Sequence, residues 1–203
     1  MDIEIFLTRR SIREFQKKDV PKEILSKILD CGLSAPSAKN SNPWYFLVLQ
    51  RKNKDEVAVW MREGIEKLVT SPIDPSTGKA NPRWDDSTLC SADIIENSPV
   101  LILVFNRSPF IGGRRTLSKY ISEKVAFTYS DEIVGIGAAI ENILLSAHAL
   151  GLGGVCIADV YPAEDQIVKK YEISYDLLIG IAIGYPSSLP RKRKLRKELV
   201  RFV

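Results

Sequence analysis

The segment from Asp131 to Leu150 constrains the fold more than any other part of this sequence. Only Asp131, Glu132, Glu141 and His148 within it are charged or titratable. A helix that is apolar nearly all round must be buried on all sides. The sequence therefore predicts a long helix that packs within the core or against a second subunit, and we expect a homodimer.

Four short apolar runs predict the strands of one sheet. They cover residues 45–49, 100–105, 154–158 and 178–183. Helical spacing of apolar residues predicts further helices over 21–33 and about 53–68. Because the strands are few and do not alternate regularly with helices, the pattern indicates an α+β fold with a sheet flanked by helices. With 203 residues, of which 45% are hydrophobic, we expect a single domain spanning 1–203.

The stretch from Ser71 to Ser87 is rich in turn-forming residues. It contains Pro72, Pro75, Gly78 and Pro82. Such a stretch is either a long surface connection or a lid over a site, here within residues 63–97. The sequence alone leaves both interpretations open.

Composition excludes several classes of protein. The net charge is +4, from 29 basic and 25 acidic residues, so the chain is not a polycation. Cys31, Cys90 and Cys156 are far apart and have no metal-ligand spacing, which argues against a disulfide framework and a zinc site. The N-terminus is acidic and no apolar stretch approaches about 20 residues. We therefore expect a soluble cytoplasmic protein without a metal or a membrane partner.

Several kinds of catalytic site are also excluded. The one histidine, His148, lies inside the predicted long helix, which favours a structural, hydrogen-bonded role over a nucleophile–base pair. There is no GxxxxGK[ST] phosphate loop, and Gly135-Ile136-Gly137 lacks the third glycine of a dinucleotide fingerprint. Reactivity would then belong to a bound cofactor.

Two arginine-rich segments could together bind a phosphate. In an extended chain, alternation places Arg9, Ser11 and Arg13 on one side, and it does the same for Arg191 and Arg193. Guanidinium forks and a hydroxyl suit a phosphomonoester. A solvated basic face is the alternative interpretation. Binding of nucleic acid is disfavoured because no aromatic residue lies between Tyr185 and Phe202 among the charges of the tail.

Four motifs occur in a fixed order along the chain. They are Arg9-Arg10-Ser11-Ile12-Arg13, the segment 35–44 (APSAKNSNPW), the segment 147–154 (AHALGLGG), and Gly184-Tyr185-Pro186 ahead of Arg191-Lys192-Arg193. In this order and at these separations, they resemble the nitroreductase family of FMN enzymes. The resemblance implies an α+β homodimer with a mainly antiparallel sheet and FMN at the subunit interface. It also implies a C-terminal segment that wraps onto the partner.

The resemblance also implies roles for individual residues. Those matching FMN contacts are Arg9, Arg10, Ser11, Arg13, Pro36, Ser37, Ala38, Asn40, Gly154, Ala158, Asp159, Arg191 and Arg193. The loop containing Pro36 to Asn40 typically comes from the other subunit. A backbone amide near Ala158-Asp159 would meet flavin N5, although many members have Glu-Gly or Gly-Gly there. Asn42 stands where Gln is common.

The resemblance implies hydride transfer from NADH or NADPH, through the flavin, to a small-molecule acceptor such as a nitroaromatic or a quinone. It also implies ping-pong kinetics and a reaction that needs no catalytic side chain. Acceptor choice would depend on whether Trp60, Met61 and Trp84 stack on a planar substrate or pack in the core. The alternatives are a dehalogenase, a flavin-processing enzyme and a non-catalytic FMN-binding protein. Glu63, Glu66 and Lys67 lack a suitably spaced tyrosine, which disfavours the dehalogenase.

Overall fold

The computed structural model describes residues 3–67, 83–114, 119, 122–191 and 195–203. The strands are β1 (Trp44–Gln50), β2 (Val100–Asn106), β3 (Gly153–Ile157) and β4 (Asp176–Gly184). The helices are α1 (Glu4–Thr8), α2 (Lys22–Leu33), α3 (Lys52–Lys67), α4 (Arg83–Asn97), α5 (Glu123–Ala149) and α6 (Glu164–Lys170). Short 3-10 turns cover Ala38–Asn40, Ala158–Ala163 and Lys197–Leu199.

The strands form one sheet in the order β1-β2-β4-β3. Every neighbouring pair is antiparallel, with Trp44 opposite Asn106, Val100 opposite Ile183, and Gly153 opposite Gly184. β1 and β3 are therefore the two outer strands of this sheet. The predicted α+β fold with an antiparallel sheet is confirmed.

Apolar clusters cover both faces of the sheet. Along β2, Leu101, Leu103 and Phe105 face α3 and α4, whereas the alternate residues face α2 and α5. All seven residues of β2 are buried. Two helical layers thus enclose the sheet, and both its central strands lie in the core.

Helix α5 begins at Glu123, earlier than the predicted start at Asp131. The hydroxyl of Ser122 accepts a hydrogen bond from the backbone N–H of Val125 and caps the helix. Only one side of α5 is buried within the chain, because Val134 is 73% exposed and Phe127 is 68% exposed. The expectation of burial on all sides is therefore not met by one chain alone.

Residues 124–149 of α5 are long and apolar enough to cross a membrane by length and composition, because they contain 18 consecutive residues with a mean hydropathy of 1.2. This corrects the expectation that no apolar stretch approaches about 20 residues. Glu132 is fully buried on this helix, and the buried apolar side packs against α2 and the sheet. These are the properties of a core helix in a globular domain.

Helix α4 was not predicted. The stretch from Ser71 to Ser87 was expected to be a surface connection or a lid without regular structure, but from Arg83 onward it belongs to helix α4. Pro82 was interpreted as a turn former, yet proline is also common at the start of a helix. The rest of the proposed lid, residues 68–82, lies outside the described residues.

Candidate functional site

Residues 9–16, here called the N-terminal arm, run beside β3. The N–H of Ile12 donates to the carbonyl of Gly154 at 3.0 Å, and Ser11 and Gly154 form a parallel bridge. Farther along, the N–H of Gln16 donates to the carbonyl of Tyr185 at 2.8 Å. The arm therefore extends the sheet beyond β3 and also contacts the segment that follows β4.

Two buried side chains anchor the arm. Ile12 is 4% exposed and Phe15 is 9% exposed. A Cβ on Gly153 would lie only 2.2 Å from Cγ1 of Ile12, and one on Gly154 would lie 2.9 Å from the carbonyl oxygen of Ala182. The space beside these two glycines is thus occupied by the arm and by β4.

The side chains of the arm divide as alternation predicts. Thr8, Arg10 and Ile12 line one pocket. On the other side, Nε of Arg9 donates to a carboxylate oxygen of Glu141 on α5 at 3.0 Å. Arg10 is therefore separated from Arg9, and the alternation leaves Ser11 and Arg13 on the side of Arg9.

Neither cysteine nor histidine chemistry is favoured beside the arm. Burial raises the pKa of the Cys156 thiol and Glu141 raises it further, although Arg9 opposes this. Cys156 is therefore a neutral thiol rather than an activated thiolate. Nε2 of His148 lies 3.0 Å from the hydroxyl oxygen of Thr8, in agreement with the predicted hydrogen-bonded histidine.

The loop over residues 36–42 is held by its own contacts and by α5. The hydroxyl oxygen of Ser37 accepts from the N–H of Asn42 at 3.0 Å, and the side-chain amide of Asn42 donates to the carbonyl of Asn40 at 2.9 Å. Lys39, Asn40 and Asn42 adopt positive φ, which asparagine tolerates. A Cβ on Gly135 would meet Ser37 at 3.2 Å, so glycine lets the loop pack closely on α5.

The arm and the loop lie at opposite corners of the sheet. The loop leads into Trp44 of β1, which pairs through Asn106 of β2 with Asp176 at the start of β4. The arm contacts Gly154 of β3, which pairs with Ile183 near the end of β4. From Asp176 to Ile183, β4 rises about 23 Å, and β1 is three strand spacings, about 14 Å, from β3. Along α5, Gly135 and His148 are about 20 Å apart by helix rise. One chain does not bring the two predicted halves together.

Ala158 and Asp159 follow β3 directly and begin a 3-10 turn. The carboxylate of Asp159 accepts from the hydroxyl of Ser87 at 2.7 Å and from that of Ser91 at 3.0 Å, both on α4. The side chain of Asp159 is thus occupied by α4. Sequence reasoning missed these two serines because residues 63–97 carry no recognisable motif.

The C-terminal segment is tied to the arm near its start. The hydroxyl of Ser188 donates to the carboxylate of Glu14 at 2.7 Å. Arg191 follows and is exposed, whereas Arg193 lies outside the described residues. Farther on, Leu199 is 76% exposed and Phe202 is 93% exposed. The last residues therefore present apolar surface that this chain does not cover.

Two of the three residues considered for acceptor contact, Met61 and Trp60, have described side chains. Met61 is fully buried and packs in the core, which is one of the two arrangements that the sequence left open for it. Trp60 is partly buried, with Nζ of Lys170 5.5 Å from its ring centroid. The side chain of Trp84 lies outside the described residues. Within the described part of the chain, no cluster of His, Cys, Asp and Glu could hold a metal ion.

Comparison with known proteins identifies related sequences over most of the chain. Residues 7–185 match the model of the nitroreductase family. A protein of Methanothermobacter thermautotrophicus, provisionally named NADH dehydrogenase/NAD(P)H nitroreductase, is 30% identical over 96% of this chain and 83% of its own length. A Thermus thermophilus NADH dehydrogenase is 48% identical over 89% of this chain and 84% of its own length.

Solved structures match the fold. A BluB-like flavoprotein of Clostridium difficile superimposes with a TM-score of 0.76 at 27% identity, covering 100% of this chain and 99% of that one. An FMN-dependent nitroreductase of Mycobacterium smegmatis in complex with NADPH gives a TM-score of 0.72 at 18% identity, covering 98% of this chain and 96% of that one.

Proposed function

The chain belongs to the nitroreductase family, and we propose that it is an FMN-dependent oxidoreductase with NADH or NADPH as hydride donor and a nitroaromatic or a quinone as acceptor. One observation carries this proposal: the N-terminal arm, with Arg9, Ser11 and Arg13, is hydrogen-bonded to Gly154 near the start of β3, the strand that leads into Ala158 and Asp159. When bound, FMN supplies the hydride-transfer chemistry. We further propose one domain over 1–203, located in the cytoplasm, without nucleic-acid or membrane partners.

The residues of the arm suit the phosphate and ribityl parts of FMN. Ser11 and Arg13 make no side-chain hydrogen bond or ion pair with any described residue, and Arg13 is exposed. Arg9 is oriented by Glu141 and retains the unused donors of its guanidinium. Arg191 follows the segment tied to the arm by Ser188 and Glu14, which keeps the start of the C-terminal segment beside the arm of the same chain.

The loop over residues 36–42 would complete the site from a partner subunit. Its separation from the arm in one chain supports this arrangement, because Pro36, Ser37, Ala38 and Asn40 lie too far away to contact the arm. The exposed face of α5, with Val134 and Phe127, supplies apolar surface for a two-fold contact. The exposed C-terminal residues would cover the partner in the same dimer.

No side chain needs to act as an acid, base or nucleophile in this reaction. The site must hold two planar rings in contact and exclude water. If both substrates use one pocket in turn, double-reciprocal plots against NAD(P)H at several acceptor levels will be parallel. His148→Gln and Cys156→Ser should keep a substantial fraction of the turnover of the flavin-loaded enzyme. A thousand-fold loss in His148→Gln with FMN still bound would make the histidine a general acid.

The decisive experiment is anaerobic mixing of the purified protein with NADH or NADPH. We expect a yellow protein whose absorbance near 450 nm bleaches and returns when a quinone or nitroaromatic is added. A yellow protein that neither donor bleaches would indicate a non-catalytic FMN-binding protein. A colourless protein that also fails to bind added FMN would contradict the proposal.

A dehalogenase is the second candidate function, because some relatives of this chain are named iodotyrosine deiodinases. An iodotyrosine deiodinase of Thermotoga neapolitana is 26% identical over 95% of this chain and 91% of its own length. Glu63 is exposed on α3, while the side chains of Glu66 and Lys67 lie outside the described residues. Iodide release from iodotyrosine by the reduced enzyme, faster than reduction of a quinone, would favour this candidate. Loss of the flavin absorbance in air would instead indicate flavin processing.

A further inference from the structure

A pocket of about 210 Å³ lies on the side of the N-terminal arm opposite Arg9. Its polar lining comes from Thr8, Arg10 and His148, and its apolar lining includes Ile12, Leu152 and Leu189. The volume is below the roughly 300–1,000 Å³ typical of sites for cofactors and drug-sized molecules. The pocket can therefore hold a small organic molecule but not a mononucleotide.

Hydrogen bonds determine which ring nitrogen of His148 carries the proton. The hydroxyl of Thr8 donates to the carbonyl of Glu4 at 2.7 Å, which uses its only hydrogen. Its oxygen must therefore accept from Nε2 of His148, 3.0 Å away. Nε2 is protonated in the neutral ring, and Nδ1 is the atom that takes up the next proton.

The lining residues include a cation and no acid; Glu14, which alternation places on the same side of the arm, accepts from the hydroxyl of Ser188. Nη1 of Arg10 donates to the carbonyls of Leu7 at 2.7 Å and Arg9 at 2.6 Å. Its Nε and Nη2 make no hydrogen bond with any described residue, so they remain available for a ligand. The segments over 150–152 and 186–189, which also border His148, contribute no titratable side chain. Glu4 on α1 contributes its backbone carbonyl to this region, as the acceptor for Thr8.

We propose that this pocket binds a small aliphatic carboxylate, with the carboxylate on Arg10 and His148 and the hydrocarbon against Ile12, Leu152 and Leu189. A guanidinium binds a carboxylate in bidentate fashion, which is the strong form of this interaction. The apolar residues favour an organic acid over a fully hydrated inorganic anion, which would lose water without compensation. This site is separate from the Arg9 side of the arm.

Binding is coupled to protonation of His148. Burial lowers the pKa of His148, and the charges of Arg9 and Arg10 lower it further, so the free pocket holds a neutral ring near pH 7. A carboxylate beside the ring favours its charged form and raises this pKa. The complex therefore takes up a proton. We expect the affinity to be about five- to tenfold higher at pH 5.5 than at pH 8.

Because the chain contains one histidine, its ring signals report on this pocket without competing resonances. The experiment is a titration of the flavin-loaded protein with butyrate, followed by NMR of the His148 ring between pH 5 and 8. We expect butyrate to shift these signals and to raise the pKa of His148. Inorganic phosphate is the comparison probe and should bind more weakly.

Variants separate a built site from general charge attraction. Arg10→Gln should reduce the affinity for butyrate about tenfold or more, because the charged hydrogen-bond donor to the carboxylate is lost. Lys169→Ala removes an exposed cation on α6 and should have no effect. For His148→Gln, followed by calorimetry, we expect weak binding that no longer depends on pH. Circular dichroism and flavin content will confirm that each variant is folded.

Three results would overturn the inference. The first is an unchanged His148 signal when butyrate is added at pH 5.5. The second is an equal loss of butyrate affinity in Arg10→Gln and Lys169→Ala. The third is a His148 signal that responds to FMN added to flavin-free protein but not to butyrate added to the flavin-loaded enzyme. The last result would assign the pocket to the flavin phosphate. A yellow, active enzyme with no response to butyrate would refute this site and leave the proposed function intact.

Discussion

The N-terminal arm and the loop over residues 36–42 are both polar, yet the chain fixes them by different means. The arm is anchored by buried Ile12 and Phe15 and by backbone hydrogen bonds to β3. The loop has no buried side chain between Pro36 and Asn42 and depends on residues with positive φ, a serine bridge and Gly135 of α5. The arm is thus part of the sheet, whereas the loop rests on a helix.

Their positions differ as much as their supports. They occupy opposite corners of the sheet, about 23 Å apart along the strands and about 14 Å across them. Beside the loop and farther toward its N-terminus, α5 exposes Val134 and Phe127. Each half of the proposed site is complete within its own chain, but the two halves can meet only when a second chain supplies one of them.

The largest expected effect comes from placing a charge on the exposed face of α5. Val134→Glu should yield a monomer with FMN affinity reduced more than a hundredfold, because a carboxylate buried in an interface without a partner costs several kcal/mol. Val59→Glu is the matched control, since Val59 is a 44% exposed valine on α3. Light scattering and flavin absorbance measure both properties. A Val134→Glu protein that is dimeric and fully loaded with FMN would show that this face of α5 is not part of the interface.

A smaller effect is expected from the arm. Arg13→Ala should reduce the affinity for FMN roughly ten- to a hundredfold, since loss of one charge-assisted contact costs about 1.5–3 kcal/mol of binding free energy. Arg193→Ala is expected to behave similarly. Lys197→Ala, in the exposed tail, is the control and should leave the affinity nearly unchanged. Equal losses in all three, measured by fluorescence titration of the flavin-free protein, would show that the basic residues act as a nonspecific surface.

The smallest effect is expected from the loop. Ser37→Ala removes the acceptor for the N–H of Asn42 and should cost about 1 kcal/mol of stability, with only a few-fold loss of FMN affinity. Ser34→Ala is the control, because the hydroxyl of Ser34 donates to a carbonyl at the end of α2. Thermal unfolding and FMN titration provide the two measurements. A larger loss of FMN affinity than in Arg13→Ala would reverse the ranking of loop and arm.

The sequence predicted the elements whose pattern is local. Continuous apolar runs identified all four strands of the described sheet, and helical spacing identified α2 and α3. The predicted alternation along residues 9–13 agrees with the different neighbours of Arg9 and Arg10. These features depend on periodicity, which can be read from neighbouring residues alone.

The features that sequence reasoning missed depend on contacts between distant segments. Helix α4 has a weakly patterned surface, and its role in holding Asp159 through Ser87 and Ser91 appears only when α4 packs beside the end of β3. The need for glycine at position 153 is a second example, because a Cβ there would meet the side chain of Ile12. Met61 was considered for the acceptor site because aromatic and apolar residues look alike in sequence whether they are buried or exposed.

The shared site is tested most directly by mixed dimers. One chain would carry Arg9→Ala and Arg13→Ala, the other Ala38→Trp, with different affinity tags so that only the mixed dimer is recovered. Neither variant should retain FMN as a homodimer. If the arm of one chain meets the loop of its partner, the mixed dimer has one intact and one doubly damaged site, and it will bind one FMN per dimer with wild-type affinity. If the arm and the loop of the same chain form the site, both sites are damaged, and a mixed dimer without tightly bound FMN would contradict the account.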